Sequence, residues 1–322
     1  MVTAAALEAA VNLLKQRVVK DLFRQTGRHD EPHIFGGPPG DPGLTGPDSM
    51  SWRINSDVAS VVIAGMGAIV MEILHPSVMA GVQDLSGYQE QPLRRGRTTF
   101  GYVVTTTFAN TQAAKRLVGA VKSMHSRVEG VRPDGVPYRA LDPELIGWVH
   151  TCIPWAIMEA YQRFKGPLTV EERNRYLREQ AVIGRMGGAG EIPETADELE
   201  EYVEAMRPKL GVNQQTLQFF EFLMSMPFGV PMPGPLSRPV HRLQIEAGMS
   251  LMPRWARQLA GFDSPELARR LVHQPALWGY AQTLRWAVGE PPWVALARDR
   301  TAAGAQPSSV SDMTVTEISV SV

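Results

Sequence analysis

Apolar residues recur at helical spacing along almost the whole chain. The most apolar run is VASVVIAGMGAIVMEIL (58 to 74), and helical patterns also cover 110 to 129, 143 to 164, 169 to 185, 195 to 207, 213 to 226, 239 to 260 and 264 to 287. No alternating strand of any length competes with them. The pattern predicts an all-α fold, a single globular helical domain. The run at 58 to 74 is shorter than the roughly 20 residues a spanning helix needs, and it carries Glu72 near its end. It is expected to be a buried helix, with no membrane span. Several helix starts carry their own signals: Asp142 ahead of Pro143, Thr169 three residues before Glu172, and Ser264 before Pro265.

The flanks read differently. At the N-terminus Leu7, Val11, Leu14, Val18 and Leu22 fall at helical spacing, with no uninterrupted apolar stretch of the kind a signal peptide has. A cytoplasmic protein is expected. GGPPGDPGLTGPDS (36 to 49) is too rich in Gly and Pro for a regular element. The expected division is an N-terminal helix and Gly/Pro-rich loop over 1–50, the main helical domain over 51–299 and a flexible tail over 300–322. The tail's last stretch alternates enough to leave open an edge strand in a homo-oligomer. MPFGVPMPGPLSRP (226 to 239) reads as a long loop, an access lid or a partner surface.

Composition narrows the chemistry. The chain has 322 residues, 44% hydrophobic and 20% charged, with a formal net charge of −1. That balance gives no long-range basic field, so no nucleic-acid partner is expected. RRGRTTFGYVVTTTF (94 to 108) places three arginines in four positions, a cluster suited to a small anionic ligand. The single cysteine, Cys152, excludes an intramolecular disulfide. Among seven histidines, His125 falls on the face of Leu117, Val121, Met124 and Val128, and His150 on that of Ile146, Val149, Ile153 and Ile157. Both are expected to point inward, where an imidazole needs a hydrogen bond or a metal; a packed core histidine is the alternative for each. There is no G-x-S-x-G, H-E-x-x-H, P-loop or G-x-G-x-x-G at a strand-to-helix turn. Glu72 and His75 form the sole Glu-x-x-His pair, which disfavours a di-iron bundle. A metal held by one protein ligand within a cofactor fits better. Haem answers that description, because its propionates need cationic or hydroxyl partners such as arginine and threonine.

HPSVMAGV (75 to 82), RRGRT (94 to 98), KSMHSRVEG (122 to 130), DGVPYRALDPELIGWVH (134 to 150) and a Pro-Glu-Thr leading into an acidic helix (193 to 204) carry a resemblance. In this order they resemble the family that contains the rubber oxygenases, or latex-clearing proteins, and the ER-bound oxygenase MpaB. The resemblance implies a globin-like helical core holding haem b, with iron bound by His125. It implies that Arg97 helps to bind the cofactor, and that Arg94, Thr98 and His75 line the reaction side. His150 is the alternative axial ligand, and His75 could instead cap the buried helix ahead of Pro76. Tyr138, Arg139 and Asp142 match a further family stretch, where an Arg-Asp pair pinning a loop is the commoner use. Leu85 stands where family members often carry histidine, and Glu72 and Glu90 are the nearest candidates for the family's glutamate. The implied activity is a haem-dependent oxygenase or oxidase using dioxygen or peroxide on a small hydrophobic or aromatic substrate, in a tailoring step. A non-catalytic haem-binding protein and a cofactor-free helical interaction protein are the rival classes.

Overall fold

Fourteen helical segments and one hairpin follow one another in the computed structural model, which describes residues 8–9, 12–13, 15–16, 19–20, 31–85, 92–225, 237–262, 265, 267 and 269–303, with backbone alone at 85, 92–96, 237, 239–240 and 272. They are α1 (His33–Gly36), α2 (Met50–Asn55), α3 (Val58–Ile73), α4 (Pro76–Leu85), α5 (Pro92–Phe108), α6 (Thr111–His125), β1 (Glu129–Val131), β2 (Pro137–Arg139), α7 (Pro143–Phe164), α8 (Val170–Gly187), α9 (Ala196–Met206), α10 (Gln214–Ser225), α11 (Ser237–Leu251), α12 (Arg254–Leu259), α13 (Gln274–Val288) and α14 (Pro292–Ala303). A π-helical turn, Arg269–His273, leads into α13. The fold is all-α, as the periodicity predicts.

The apolar run becomes α3, and α3 is the axis around which the rest is packed. α7 and α11 cover most of it, while α13 and α2 close its start. Asp57 caps it, accepting from the Ser60 amide at 3.2 Å. The same carboxylate receives two bonds of 2.7 Å from Arg285 on α13. Those bonds hold the Asp57 carboxyl below its ordinary value against the opposing effect of burial. At the crossing with α11 the backbones nearly touch. A Cβ on Gly67 would sit 2.8 Å from the Gly248 carbonyl oxygen, and one on Gly248 would sit 2.4 Å from the Met66 Cβ. Only glycine permits that approach.

No single described helix is long and apolar enough to cross a membrane. α3 and α4 pass the test as a pair, but they are bent by 106° at their junction.

The caps expected at Asp142 and Thr169 form, the latter with Glu172 as a full capping box. Ser264 lies outside the described residues, as do the apolar positions of the N-terminal helix and 226–236 of the Pro-rich loop. Other expectations need correction. β1 and β2 pair antiparallel across a turn at Gly135, so short strands do occur; three residues each is too short for an alternating pattern to show. The helix expected over 239 to 260 breaks at Pro253. α14 continues to Ala303, so Arg300 does not begin a flexible tail. Its guanidinium, in a residue 1% exposed, donates to the carbonyls of Phe35 (2.7 Å), Phe108 (2.9 Å) and Asp41 (2.8 Å). An arginine in a charged stretch looks like a surface residue in sequence, and these oxygens come from segments 192 to 265 residues away.

Candidate functional site

The candidate residues lie at the junction of α3 and α4 (His75), in the first half of α5 (Arg94, Arg97 and Thr98), at the end of α6 (His125) and within α7 (His150). The chain leaves α3 through Leu74 and His75, and Pro76 starts α4 at its first helical position, where a missing amide proton costs nothing. His75 is 6% exposed, and its Nδ1 accepts from the Ser77 amide at 3.2 Å. The imidazole therefore caps the start of α4 rather than the end of α3. An accepting Nδ1 fixes the tautomer with the proton on Nε2. Burial, against the opposing pull of the Glu144 carboxylate, pushes the pKa of His75 down to about 4.

The arginine cluster is helical, part of α5. Within α5, Arg94, Arg97 and Thr98 stand at i, i+3 and i+4 and so share a face. Arg94 is placed by register alone; Arg97 and Thr98 are exposed. Seven residues beyond Thr98 the same face carries Thr105, 1% exposed, whose hydroxyl has no hydrogen-bond partner. α5 and α6 are joined by Ala109 and Asn110, and Asn110 caps α6 through the Ala113 amide at 2.8 Å. Arg94 to Thr98 and His125 thus occupy the helix ends remote from this shared turn.

His125 is the last residue of α6 and is half-buried; Met124, expected beside it on an inward face, is 47% exposed. The inward face of α6 is Ala113, Ala114 and Val118, and it fades before the last turn. The hairpin that follows fastens this end to α4. Tyr138 is 4% exposed, donates to Asp84 at 2.7 Å, and lies over Gly130, where a Cβ would come within 2.9 Å of its ring. Arg139 and Asp142 do not form the pair weighed for them. Arg139 faces Glu129 at 3.5 Å, and Asp142 caps α7.

His150 sits apart, between α7 and α8. It is 8% exposed, and its Nε2 lies 2.8 Å from the Gln180 carbonyl oxygen. Its ring packs on Gly184, where a Cβ would approach Cδ2 to 2.4 Å. Burial lowers its pKa despite the carbonyl bond. This is the geometry of a histidine that ties two helices together.

One feature of the neighbourhood has no warning in the sequence. Gly65, in the middle of α3, is exposed, although residues 63, 64, 66 and 67 are all buried. Inside an apolar run it reads as one more small core residue. Two surface hollows of about 490 and 520 Å³, beside Trp286 and Arg53, contain none of the candidate residues.

Among the described residues no group of three or more His, Cys, Asp or Glu side chains could hold a metal ion. A haem needs less from the protein. One imidazole suffices for the iron, and cationic and hydroxyl groups suffice for the propionates. The half-buried His125 and the exposed Arg97 and Thr98 are a donor set of that kind.

The family described as "ER-bound oxygenase mpaB/B'/Rubber oxygenase, catalytic domain" matches residues 52–286. Uncharacterized protein Mb2261 of Mycobacterium bovis and uncharacterized protein Rv2237 of Mycobacterium tuberculosis are each 26% identical over 130 residues, which is 39% of this chain and 50% of theirs. The match thus spans about half the length of these curated relatives. No solved structure matches the chain.

Proposed function

Because the chain belongs to the ER-bound oxygenase mpaB/B' and rubber oxygenase catalytic-domain family, we propose that it is a haem b-dependent oxidoreductase, an oxygenase or oxidase acting on a small hydrophobic or aromatic molecule. The observation that carries this reading is the α5–α6 pair. Helical register collects Arg94, Arg97 and Thr98 on one face, at the same end of the pair as the half-buried His125. His125 holds the iron, and Arg97 binds a propionate. His150, whose Nε2 lies 2.8 Å from the Gln180 carbonyl oxygen, is the second choice as ligand. When bound, haem supplies dioxygen or peroxide chemistry that no side chain here offers.

The protein's own part is orientation and proton placement. Arg94 and Thr98, on one register face of α5, bring the site a fixed positive charge and a hydroxyl that can donate or accept. His75 keeps its Nε2 proton at neutral pH, since its pKa lies near 4, and so acts as a hydrogen-bond donor rather than a base. Tyr138 and Asp84 hold α4, and with it His75, against the hairpin that follows His125.

The test is an ultraviolet–visible spectrum of protein expressed with a haem precursor, beside His125→Ala and His150→Ala. A Soret band absent only from His125→Ala supports the reading. Loss confined to His150→Ala would move the ligand. No band in wild type would remove the haem.

A further inference from the structure

α3 is buried along nearly its whole length, yet one stripe opens. Val58, Val62, Gly65, Ile69 and Glu72 share a face at helical spacing. Along it Val58 is buried, Val62 half-buried, Gly65 exposed and Ile69 half-buried, and Glu72 closes the far end at 5% exposed. Among the described residues, a Cβ built on Gly65 meets no heavy atom within 4 Å. Glycine in a helix interior is less stable than alanine. At Gly67 the α11 backbone requires glycine. At Gly65 no described residue does.

Contacts between α2, α3 and α5 relate this opening to the candidate residues on α5. Asn55, just ahead of α3, donates to Thr107 near the end of α5 at 2.9 Å, while Val62 and Phe100 pack against the same apolar cluster. α3 and α5 touch, and an antiparallel course through these points would bring Gly65 level with Arg97 and Thr98.

We propose that the furrow over Gly65 seats the substrate, a neutral apolar small molecule lying on the α3 backbone between Val62 and Ile69, and that the missing side chain sets the size it can have. This assignment rests on the proposed oxygenase function. A single-residue gap between two branched aliphatic side chains suits a flat or narrow molecule, not a helix or a second copy of the chain. The Glu72 side chain at the closed end offers an anion no attraction.

The test is calorimetric titration of 1-naphthol, neutral at neutral pH, into wild type, Gly65→Ala and Gly65→Leu, each expressed with the haem precursor. We expect one site in wild type, a few-fold weaker binding in Gly65→Ala, and about tenfold or more weaker binding in Gly65→Leu. Circular dichroism and the Soret band should be unchanged. Should Gly65→Leu unfold, Gly65→Ala carries the test, because its methyl meets open space. Equal affinity in all three proteins, or no binding by wild type, overturns the proposal. A Soret band lost in Gly65→Leu also overturns it, since the furrow would then hold the cofactor. Gly65-dependent binding in a wild type with no Soret band would keep the furrow and remove the haem function.

Discussion

Two glycines two residues apart on α3 do opposite things. Gly67 lets α11 approach until backbones nearly touch, and its face of α3 is sealed. Gly65 lies on another face, and beside it the packing stops. The difference shows that α3 is both the keystone of the core and the floor of an opening. Composition cannot tell the two glycines apart; what surrounds each one can.

The largest effect expected from breaking this contrast comes from the sealed side. Gly248→Ala should cost about 3 kcal/mol, since the new methyl overlaps Met66 and the Gly67 amide and neither helix can retreat. Denaturant unfolding measures it; a loss below about 1 kcal/mol would mean the crossing is loose.

The next effect comes from where α3 ends. His75 has a folded pKa of about 4, below its ordinary 6.5. Between those values the unfolded chain binds more protons than the folded one, so stability should fall as pH drops through that window and level off below it. The loss attributable to His75 should be roughly 3 kcal/mol, and stability measured against pH should show a shallower slope in His75→Gln. His150, also depressed by burial, adds to the slope in both proteins.

Tyr138→Phe should cost about 1 kcal/mol by removing its bond to Asp84. It should also speed amide exchange in the hairpin while leaving exchange in α3 unchanged. Smallest, and opposite in sign, Gly65→Ala should stabilise by about 0.5–1 kcal/mol, read as a rise in melting temperature. A fall instead would mean that the open side is as tightly packed as the sealed one.

The fold was legible wherever one helix carried a clear period between clear caps. α7 begins and ends where the pattern places it, Pro143 to Phe164. The short helices α2 and α4 escaped because six and ten residues hold too few turns to show a period. The site was legible in residue type and less so in geometry. RRGRT hid its helix because arginine and glycine in one stretch look like a turn, and the sharing of a face by Arg94, Arg97 and Thr98 appears only once the helix is known. Periodicity placed His125 and His150 alike. Tertiary contacts separate them, since α8 brings a carbonyl to His150 while the hydrophobic face of α6 runs out before His125.

Arg300 has a consequence in time. Its guanidinium satisfies carbonyls of Phe35, Asp41 and Phe108, which leave the ribosome long before it does. A nascent chain has those oxygens ready with no donor to meet them, so the segment around α1 can settle only after α14 has been synthesised. A segment made early is among the last to be finished.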